Sequence, residues 1–312
     1  MAAWSPIRSL MQQSTGHATA PIGVFDSGYG GLTILRGLVD RLPRQRFIYL
    51  GDHVHAPYGQ RPAQEILDFT RTNVTHLFDL GCRLVILACN TAAAVALRRL
   101  QQDWLPVAHA DRRILGVLVP MVEALARTNW YAAIPSASTA QQRAETVAVF
   151  ATPATIASGA YQHEVQRRAP WIRVVPRACP DLAGLIERDA GDGVIGPAVA
   201  VHVAALLDEL RQSPPHGREC DERPPLKAVL GCTHYPLIQH LFRAALPAGT
   251  EILSQPRRVA ESLTAYLWRH PHFRRFEMEP PAPLCFTTGD AARISVLASR
   301  FFGGHLDFRP LP

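Results

Sequence analysis

Two cysteines occupy matching positions in the sequence and could act as a pair of acid–base groups. Cys89 follows the apolar run LVILA and precedes Asn90, and Cys232 follows KAVLG and precedes Thr233. A thiol between a strand and the start of a helix is expected to have a lowered pKa, and the thiolate is the form that removes a proton. A free cysteine is usually a small buried core residue, but two cysteines in the same local setting favour chemistry.

Two such thiols suit the inversion of a carbon centre. One thiolate would remove the α-proton of an amino acid while the other thiol donates a proton to the opposite face. Without an electron-sink cofactor, the site has to supply accurate positioning and hydrogen bonds to the carboxylate. Asp26, which ends the run IGVFD, could accept and return the proton of one thiol. His234, two residues after Cys232, could do the same for the other thiol.

A glycine-rich turn after the first predicted strand is a second feature of a substrate site. Residues 26–31 (DSGYGG) should open a helix whose free backbone N–H groups could bind a carboxylate. The alternative is an ordinary tight turn in which glycine supplies a positive φ. Neither GxGxxG nor GxxxxGKS/T fits, so the turn does not predict a nucleotide site.

Two common cofactor classes are not favoured. His53 and His55 stand two positions apart without a nearby acid cluster, so no metal site is predicted. The chain has a single lysine, Lys227, and pyridoxal phosphate requires a buried lysine for its Schiff base. Because Lys227 follows Pro224 and Pro225, we expect it to be exposed. The predicted chemistry therefore uses neither a metal nor pyridoxal phosphate.

The composition indicates a folded protein in a reducing compartment. The chain has 312 residues, of which 47% are hydrophobic, enough for two domains with cores. The formal charge of +6 comes with arginines scattered beside acids, so nucleic-acid binding is not predicted as a primary function. No run of about 18 apolar residues predicts a membrane span, and residues 1–20 are interpreted as a flexible leader. The six cysteines lack CxxC or metal spacing, which fits the cytoplasm.

Short apolar runs alternate with longer amphipathic stretches, which predicts a βα pattern. Continuous apolar runs indicate strands buried on both faces, hence parallel sheets covered by helices in an α/β fold. The predicted strands are PIGVFD, RFIYLGD, RLVILACN, RILGVLVP, VAVFATP, IRVVPRAC and KAVLGCTH. The predicted loops are residues 129–143, the glycine-rich stretch 191–196 and the proline-rich run 212–225.

Two pairs of segments also resemble each other within the chain. LVILACNTAAA resembles KAVLGCTHYPL, and IGVFDSGYGG resembles VAVFATPATI. If each pair marks the two halves of an internal repeat, two similar lobes face each other with one cysteine on each side of a cleft. Ligands of open α/β sheets bind beyond the carboxyl ends of the strands, where these motifs lie.

Taken together, the motifs resemble the glutamate racemase branch of the aspartate/glutamate racemase superfamily. The matching segments are residues 25–31 (FDSGYGG), 51–52 with 57–59, 88–92 (ACNTA), 151–156 (ATPATI) with Tyr161, Cys179 with Glu187, and 231–236 (GCTHYP). The resemblance implies two mainly parallel α/β lobes related by pseudo-two-fold symmetry, with the active site between them. Lobe A would comprise residues 21–113 and 255–312 on the Cys89 side, and lobe B residues 114–254 on the Cys232 side.

The resemblance also implies roles for individual residues. Cys89 would act on D-glutamate with help from Asp26. Cys232 would act on L-glutamate with help from His234 and Glu187. The expected substrate contacts are Asp26, Ser27, Tyr58, Gly59, Asn90, Thr91, Thr233 and His234. The enzyme would be a cofactor-independent isomerase of the cytoplasm that supplies D-glutamate for peptidoglycan synthesis, and a homodimer is the assembly that the resemblance suggests.

Some features depart from the family pattern and leave alternatives open. Residues 60–62 (QRP) replace smaller polar residues, and the leader, the 212–225 run and the tail after about His270 lie outside the resemblance. An aspartate racemase is an alternative because pocket length is not readable from sequence, whereas a single-thiol decarboxylase needs only one cysteine. A non-catalytic acidic-amino-acid-binding regulator would not need both thiols, and a thiol redox switch would join them without isomerisation.

Overall fold

The computed structural model of the chain describes residues 20–127, 145–212, 226–274 and 277–312. The predicted loop 129–143 and nearly all of the leader and of the 212–225 run lie outside the described residues. The strands are β1 (Ile22–Asp26), β2 (Phe47–Gly51), β3 (Leu84–Leu87), β4 (Arg113–Gly116), β5 (Glu145–Ala151), β6 (Ile172–Ala178), β7 (Leu226–Leu230), β8 (Glu251–Leu253), β9 (Leu284–Thr287) and β10 (Phe308–Pro310). The helices are α1 (Gly31–Arg41), α2 (Ala63–Asp79), α3 (Asn90–Arg99), α4 (Leu105–Ala108), α5 (Leu118–Ala126), α6 (Pro153–Ala157), α7 (Ala160–Arg168), α8 (Leu182–Glu187), α9 (Asp192–Gln212), α10 (Gln239–Ala245), α11 (Gln255–Arg269) and α12 (Ala291–Phe302).

The strands form two parallel sheets, which confirms the predicted α/β architecture. The first has the order β10-β9-β2-β1-β3-β4 and the second β6-β5-β7-β8. Strands β1, β2 and β3 are buried at every position, as expected for strands covered by helices on both faces. Every predicted strand forms, although the end of the RILGVLVP run begins helix α5 instead. Strands β8, β9 and β10 were not predicted, because runs of three or four residues carry too little periodicity.

The internal repeat predicted from the sequence is present in the strand order. Strands β2-β1-β3-β4 and β6-β5-β7-β8 follow the same spatial order in the two sheets. The equivalence extends to single hydrogen bonds after β3 and β7. The Ala88 N–H donates to the Phe25 carbonyl at 2.8 Å, and the Gly231 N–H donates to the Phe150 carbonyl at the same distance. Cys89 and Cys232 therefore follow equivalent strands in two similar halves.

The point where the chain leaves the first half differs from the expected lobe boundary. Strand β4 pairs in parallel with β3, so all of Arg113–Gly116 belongs to the first sheet, and a boundary after residue 113 would cut this strand. We therefore place the end of the first segment of lobe A after Gly116. The chain returns to lobe A between β8 and α11, since α11 packs on α1.

The predicted loop at residues 191–196 is wrong, because helix α9 begins at Asp192. Ile195, Val199, Val203 and Leu206 recur at helical spacing and are buried, and this burial outweighs the low helix propensity of the glycines. Helix α9 is long and apolar enough to cross a membrane by length and composition. It packs with this buried stripe against α8, α10 and β6, which is the position of a helix covering a sheet.

The prediction that Lys227 is exposed is also wrong. Lys227 lies in β7 opposite Val147, is 6% exposed, and its Nζ donates to Glu145 Oε2 at 2.6 Å. The preceding prolines suggested a loop, but a carboxylate far along the chain satisfies the buried ammonium. Lys227 precedes Cys232 by five residues of extended chain, roughly 16 Å. The single lysine therefore stands at the opposite end of the sheet from the two thiols.

Candidate active site

The carboxyl ends of the two sheets face each other across a cleft of about 160 Å³. Its lining includes ten of the predicted site residues: Ser27, Tyr58, Gly59, Cys89, Asn90, Thr91, Glu187, Cys232, Thr233 and His234. Asp26 is buried directly behind this lining. A larger open groove of 690 Å³ lies between α1 and α11, but none of the predicted site residues lines it. The structure thus brings the predicted residues together in one place.

Cys89 lies at the start of α3 and is held from two sides. Its Sγ accepts a hydrogen bond from the Ala92 N–H at 3.4 Å and lies 3.3 Å from Ser27 Oγ. Burial raises the pKa of the Cys89 thiol to about 12, and the Asp26 charge adds to this rise. The hydrogen bonds from Ser27 and Ala92 lower the pKa only in part. The prediction of a lowered pKa is therefore wrong for Cys89, because desolvation outweighs the helix N-terminus.

Asp26 is a buried carboxyl group between the two halves. Its Oδ1 accepts from the Gly28 N–H at 2.8 Å, and its Oδ2 accepts from Thr233 Oγ1 across the cleft at 3.5 Å. Burial raises the pKa of Asp26, while the charge of His234 and the N–H groups of Gly28 and Gly31 offset part of this effect. A carboxyl group with a raised pKa can hold a proton closer to neutral pH than an exposed one.

Cys232 belongs to a chain of three groups that can carry a proton. Its Sγ lies 3.6 Å from His234 Nδ1, and His234 Nε2 lies 2.8 Å from Glu187 Oε1. Burial alone would lower the pKa of His234, but the hydrogen bonds to Cys232 and Glu187 raise it well above its usual value. Burial alone would raise the pKa of Glu187, but the hydrogen bond from His234 lowers it. The pair therefore holds a proton on the imidazole beside the Cys232 sulfur.

Two glycines allow the halves to approach each other closely. A Cβ on Gly30 would lie 2.3 Å from Thr233 Oγ1 and 2.5 Å from His234 Nδ1, and one on Gly59 would lie 2.7 Å from Thr152 Cβ. Gly30 has a φ of −58°, so its role is close approach and not a positive φ. The DSGYGG turn is thus a contact between the halves, and a side chain at Gly30 would displace the imidazole.

The turn that carries Tyr58 and Gly59 is anchored by a buried carboxylate. Asp52 accepts hydrogen bonds from the Tyr58 hydroxyl at 2.6 Å, from Asn73 at 3.1 Å and from Thr288 at 2.8 Å. His55 Nδ1 lies 2.9 Å from the same carboxylate, so this histidine supports the turn. Among the described residues no group of histidines, cysteines and carboxylates is arranged to hold a metal ion.

Other residues of the site were missed by the sequence analysis. The hydroxyls of Thr91, Thr152 and Thr155 form a buried triangle with sides of 2.9 to 3.2 Å. The ATPATI motif contains Thr152 and Thr155, so a signal for them existed. Asn90 exchanges two 2.7 Å hydrogen bonds with Gln255, a residue that no motif marked.

The mouth of the cleft is formed by residues that depart from the family pattern or were not singled out. Gln60 Nε2 donates to Asp181 Oδ1 at 2.7 Å, which links the two halves across the opening. Arg188 is the one guanidinium group among the described residues that line the cleft. The mouth thus carries one guanidinium group in addition to the Asp181 carboxylate.

Known proteins whose sequences resemble this chain carry one and the same name. No family model matches the chain. It is 44% identical to the glutamate racemase of Roseobacter denitrificans over 288 residues, which is 92% of this chain and 98% of that protein. Other relatives that are 40% and 45% identical carry the same name.

Solved structures agree with these relatives. A glutamate racemase isoform from Bacillus anthracis superposes with a TM-score of 0.77 at 26% identity, covering 94% of this chain and 97% of that one. The Escherichia coli glutamate racemase, solved with L-glutamate and the activator UDP-MurNAc-Ala, superposes with a TM-score of 0.63 at 25% identity, covering 94% and 98%. The sequence relatives and the fold therefore identify the same family.

Proposed function

The chain belongs to the glutamate racemase family, and we propose that it interconverts L- and D-glutamate by exchanging the α-proton between Cys89 and Cys232. It is an isomerase of the amino-acid racemase class. One observation carries the mechanistic proposal: two buried thiols follow equivalent strands of two similar halves and line the same cleft. Each thiol has its own group that can hold a proton.

In the direction from L- to D-glutamate, Cys232 removes the α-proton and Cys89 supplies a proton to the other face. A proton on His234, stabilised by Glu187 at 2.8 Å, is the countercharge for the Cys232 thiolate. Cys89 starts as a thiol, because burial raises its pKa to about 12. The resting thiol of Cys89 therefore suits the role of proton donor in this direction.

In the reverse direction, Cys89 must first lose its proton. Asp26 is the candidate acceptor, since its charge acts on the Cys89 thiol and burial raises its own pKa. Ser27 stabilises the resulting thiolate through its 3.3 Å contact with Cys89 Sγ. His234 passes its proton to Cys232, which then protonates the opposite face. The proton left on Asp26 restores the protonated imidazole of His234 when the cycle ends.

The charge that develops on the α-carbon is stabilised by donors of the cleft walls. The N-terminus of α3, which begins at Asn90, offers free N–H groups to the α-carboxylate. The hydroxyls of Thr91, Thr152 and Thr233 provide neutral donors that need no counter-ion. The Asp52-anchored Tyr58–Gly59 turn closes one side of the cleft, where the second carboxylate of glutamate would lie.

The experiment that tests this proposal follows racemisation of L-glutamate by circular dichroism without added cofactor. Wild type, Cys89→Ser, Cys232→Ser and the matched control Cys285→Ser are compared, since Cys285 is an equally buried thiol outside the cleft. We expect activity in wild type and the control only. Activity with L-aspartate and not with L-glutamate would assign an aspartate racemase, and binding of glutamate without turnover would assign a regulator.

The cellular role and assembly extend the same proposal. We propose that the enzyme acts in the cytoplasm, supplies D-glutamate for peptidoglycan synthesis, and works as a homodimer. Growth of a D-glutamate-requiring bacterial strain on the wild-type gene and not on the Cys232→Ser gene would support the role. Light scattering of the purified chain would test the dimer, and a monomer mass would refute it.

A further inference from the structure

The C-terminal segment breaks the symmetry of the two halves. Strands β9 and β10 extend the first sheet beyond β2, and helix α12 lies between them in sequence. In the described part of the second sheet, β6 is the edge and carries no such extension. The segment lies outside the family motifs that mark the core, yet it reaches the Cys232 side of the cleft.

Arg300 of α12 binds the C-terminal end of α8, the helix that carries Glu187. Its Nη1 donates to the Ile186 carbonyl at 3.0 Å, and its Nη2 lies 2.6 Å from Asp189 Oδ1. Ile186 and Glu187 are the last residues of α8, and the Ile186 carbonyl also accepts from the Asp189 N–H at 3.2 Å. A guanidinium can hold both oxygens at once, and its charge suits a helix C-terminus.

The next residue, Phe301, contacts the partner of Glu187. Its ring meets the His234 ring edge-on with 5.6 Å between centroids, and on another side it stacks on Tyr29 at 5.4 Å. Phe301 is buried, so these contacts restrict how the imidazole can turn. Two consecutive residues of α12 thus contact the backbone next to Glu187 and the ring of His234.

We propose that Arg300 and Phe301 are positioning residues that hold the Glu187–His234 pair in register with Cys232. This inference rests on the proposed function, because it assigns the pair to the Cys232 half of the proton exchange. In the Cys89 half the equivalent groups are positioned differently, since Asp26 ends a central strand and Ser27 follows it directly.

Rates alone cannot show which thiol is affected. L- and D-glutamate have equal free energies in solution, so kcat/KM must be equal in the two directions for wild type and for every variant. Primary deuterium isotope effects on kcat/KM, in contrast, can differ between the L and D substrates. If proton transfer at Cys232 becomes slower, the isotope effect with L-[2-²H]glutamate rises and that with D-[2-²H]glutamate falls.

The test measures both isotope effects for wild type, Arg300→Gln, Arg300→Lys and Phe301→Leu. Arg257→Gln is the matched control, since Arg257 pairs with Glu261 on an exposed helix face. We expect Arg300→Gln to lower kcat/KM roughly tenfold in both directions. The isotope effect should rise for the L substrate and fall for the D substrate, with Arg300→Lys intermediate and the control unchanged.

Asp189→Asn is the second variant if Arg300→Gln does not fold, because it weakens the same contact from an exposed residue. It should shift the isotope effects in the same opposite directions. Unchanged rates, or a lower rate with both isotope effects unchanged, would overturn the proposal. The Cys89→Ser and Cys232→Ser variants in the same assay report separately on the two-thiol mechanism, so its failure would be recognised independently.

Discussion

The Cys89 and Cys232 halves of the cleft share a backbone pattern but not their chemistry. After β3, Thr91 stands two residues beyond Cys89 and contacts Thr152; after β7, His234 stands two residues beyond Cys232 and contacts Glu187. The repeated sheet thus fixes where the sulfur atoms lie. The groups that hold protons differ, so each half can be altered without the other.

The same difference extends to the ends of the central strands. Asp26 ends β1, whereas Ala151 ends β5 at the equivalent place, and each carbonyl accepts from the first residue after the neighbouring strand. On the Cys89 side the carboxyl group is therefore carried by a strand that has an equivalent in the other half. On the Cys232 side the carboxylate comes from α8, and helix α12 of the other half supports it. The two equivalent thiols therefore have different proton relays. Cys89 uses Asp26 of the adjacent strand β1, whereas Cys232 uses His234 together with Glu187 of α8.

The largest expected effect removes either thiol. Cys89→Ser and Cys232→Ser should each lower kcat roughly 10³-fold, because a hydroxyl is a far weaker acid–base group at this position. The circular-dichroism assay gives the rate, and Cys285→Ser should keep the wild-type value. If only one of the two variants lost activity, the two halves would not both take part in proton exchange.

The next effect tests the close approach of the halves. Gly30→Ala should lower kcat/KM roughly 100-fold, because the new methyl group would displace His234 and Thr233 from Cys232. Gly193→Ala is the control, since a Cβ at Gly193 meets no atom within 4 Å. Equal activity of the two variants would show that the DSGYGG turn does not set the position of the imidazole.

A smaller effect separates the two relays by pH. The pKa of His234 is raised, so its contribution to stability is present below pH 6.5 and is lost as pH rises through the raised pKa. The pKa of Glu187 is lowered, so its contribution is present above pH 4.5 and is lost as pH falls through the lowered pKa. Glu187→Gln should therefore cost about 2 kcal/mol between pH 5 and 6.5 and less at higher pH.

Urea unfolding of wild type and Glu187→Gln at several pH values measures this difference. Ser27→Ala is the comparison from the Cys89 side, because a hydroxyl does not titrate in this range. A Glu187→Gln cost that does not change with pH would mean that the imidazole and the carboxylate do not share a proton.

The smallest effect concerns the mouth of the cleft. Arg188→Gln should lower kcat/KM about threefold at low ionic strength, because the guanidinium attracts the anionic substrate. The difference from wild type should vanish in about 1 M salt, where charges are screened within about 3 Å. Arg257→Gln should show no such salt dependence, and a salt-independent loss for Arg188→Gln would indicate direct contact with the substrate.

The sequence predicted the strands and the thiols because both signals are local. Continuous apolar runs mark the strands, and Cys89 and Cys232 directly follow two of them. Features that depend on distant partners were missed or misjudged. Gln255 lies 165 residues from Asn90 along the chain, and Glu145, which neutralises Lys227, lies 82 residues away. The raised pKa of Cys89 depends on burial, which a motif does not report.

Two further site residues show the same limit. Glu187 was predicted only through the family resemblance, since nothing in the LAGLIE segment marks it as a partner of His234. Arg300 lies in a tail without family motifs, and its role emerges only when β9 and β10 join the first sheet. Local pattern therefore locates the sulfur atoms, whereas tertiary structure assembles the relay around Cys232.

The most direct test of the two-thiol account is the origin of the α-hydrogen in the first product. Protiated L-glutamate is incubated with wild-type enzyme in D₂O, and D-glutamate formed in the first few per cent of reaction is analysed by mass spectrometry. If Cys232 removes the proton and Cys89 donates from the opposite face, nearly all of this D-glutamate carries deuterium while the remaining L-glutamate stays protiated. D-glutamate that retains the substrate's own α-proton would show that one group serves both faces, and would contradict the account.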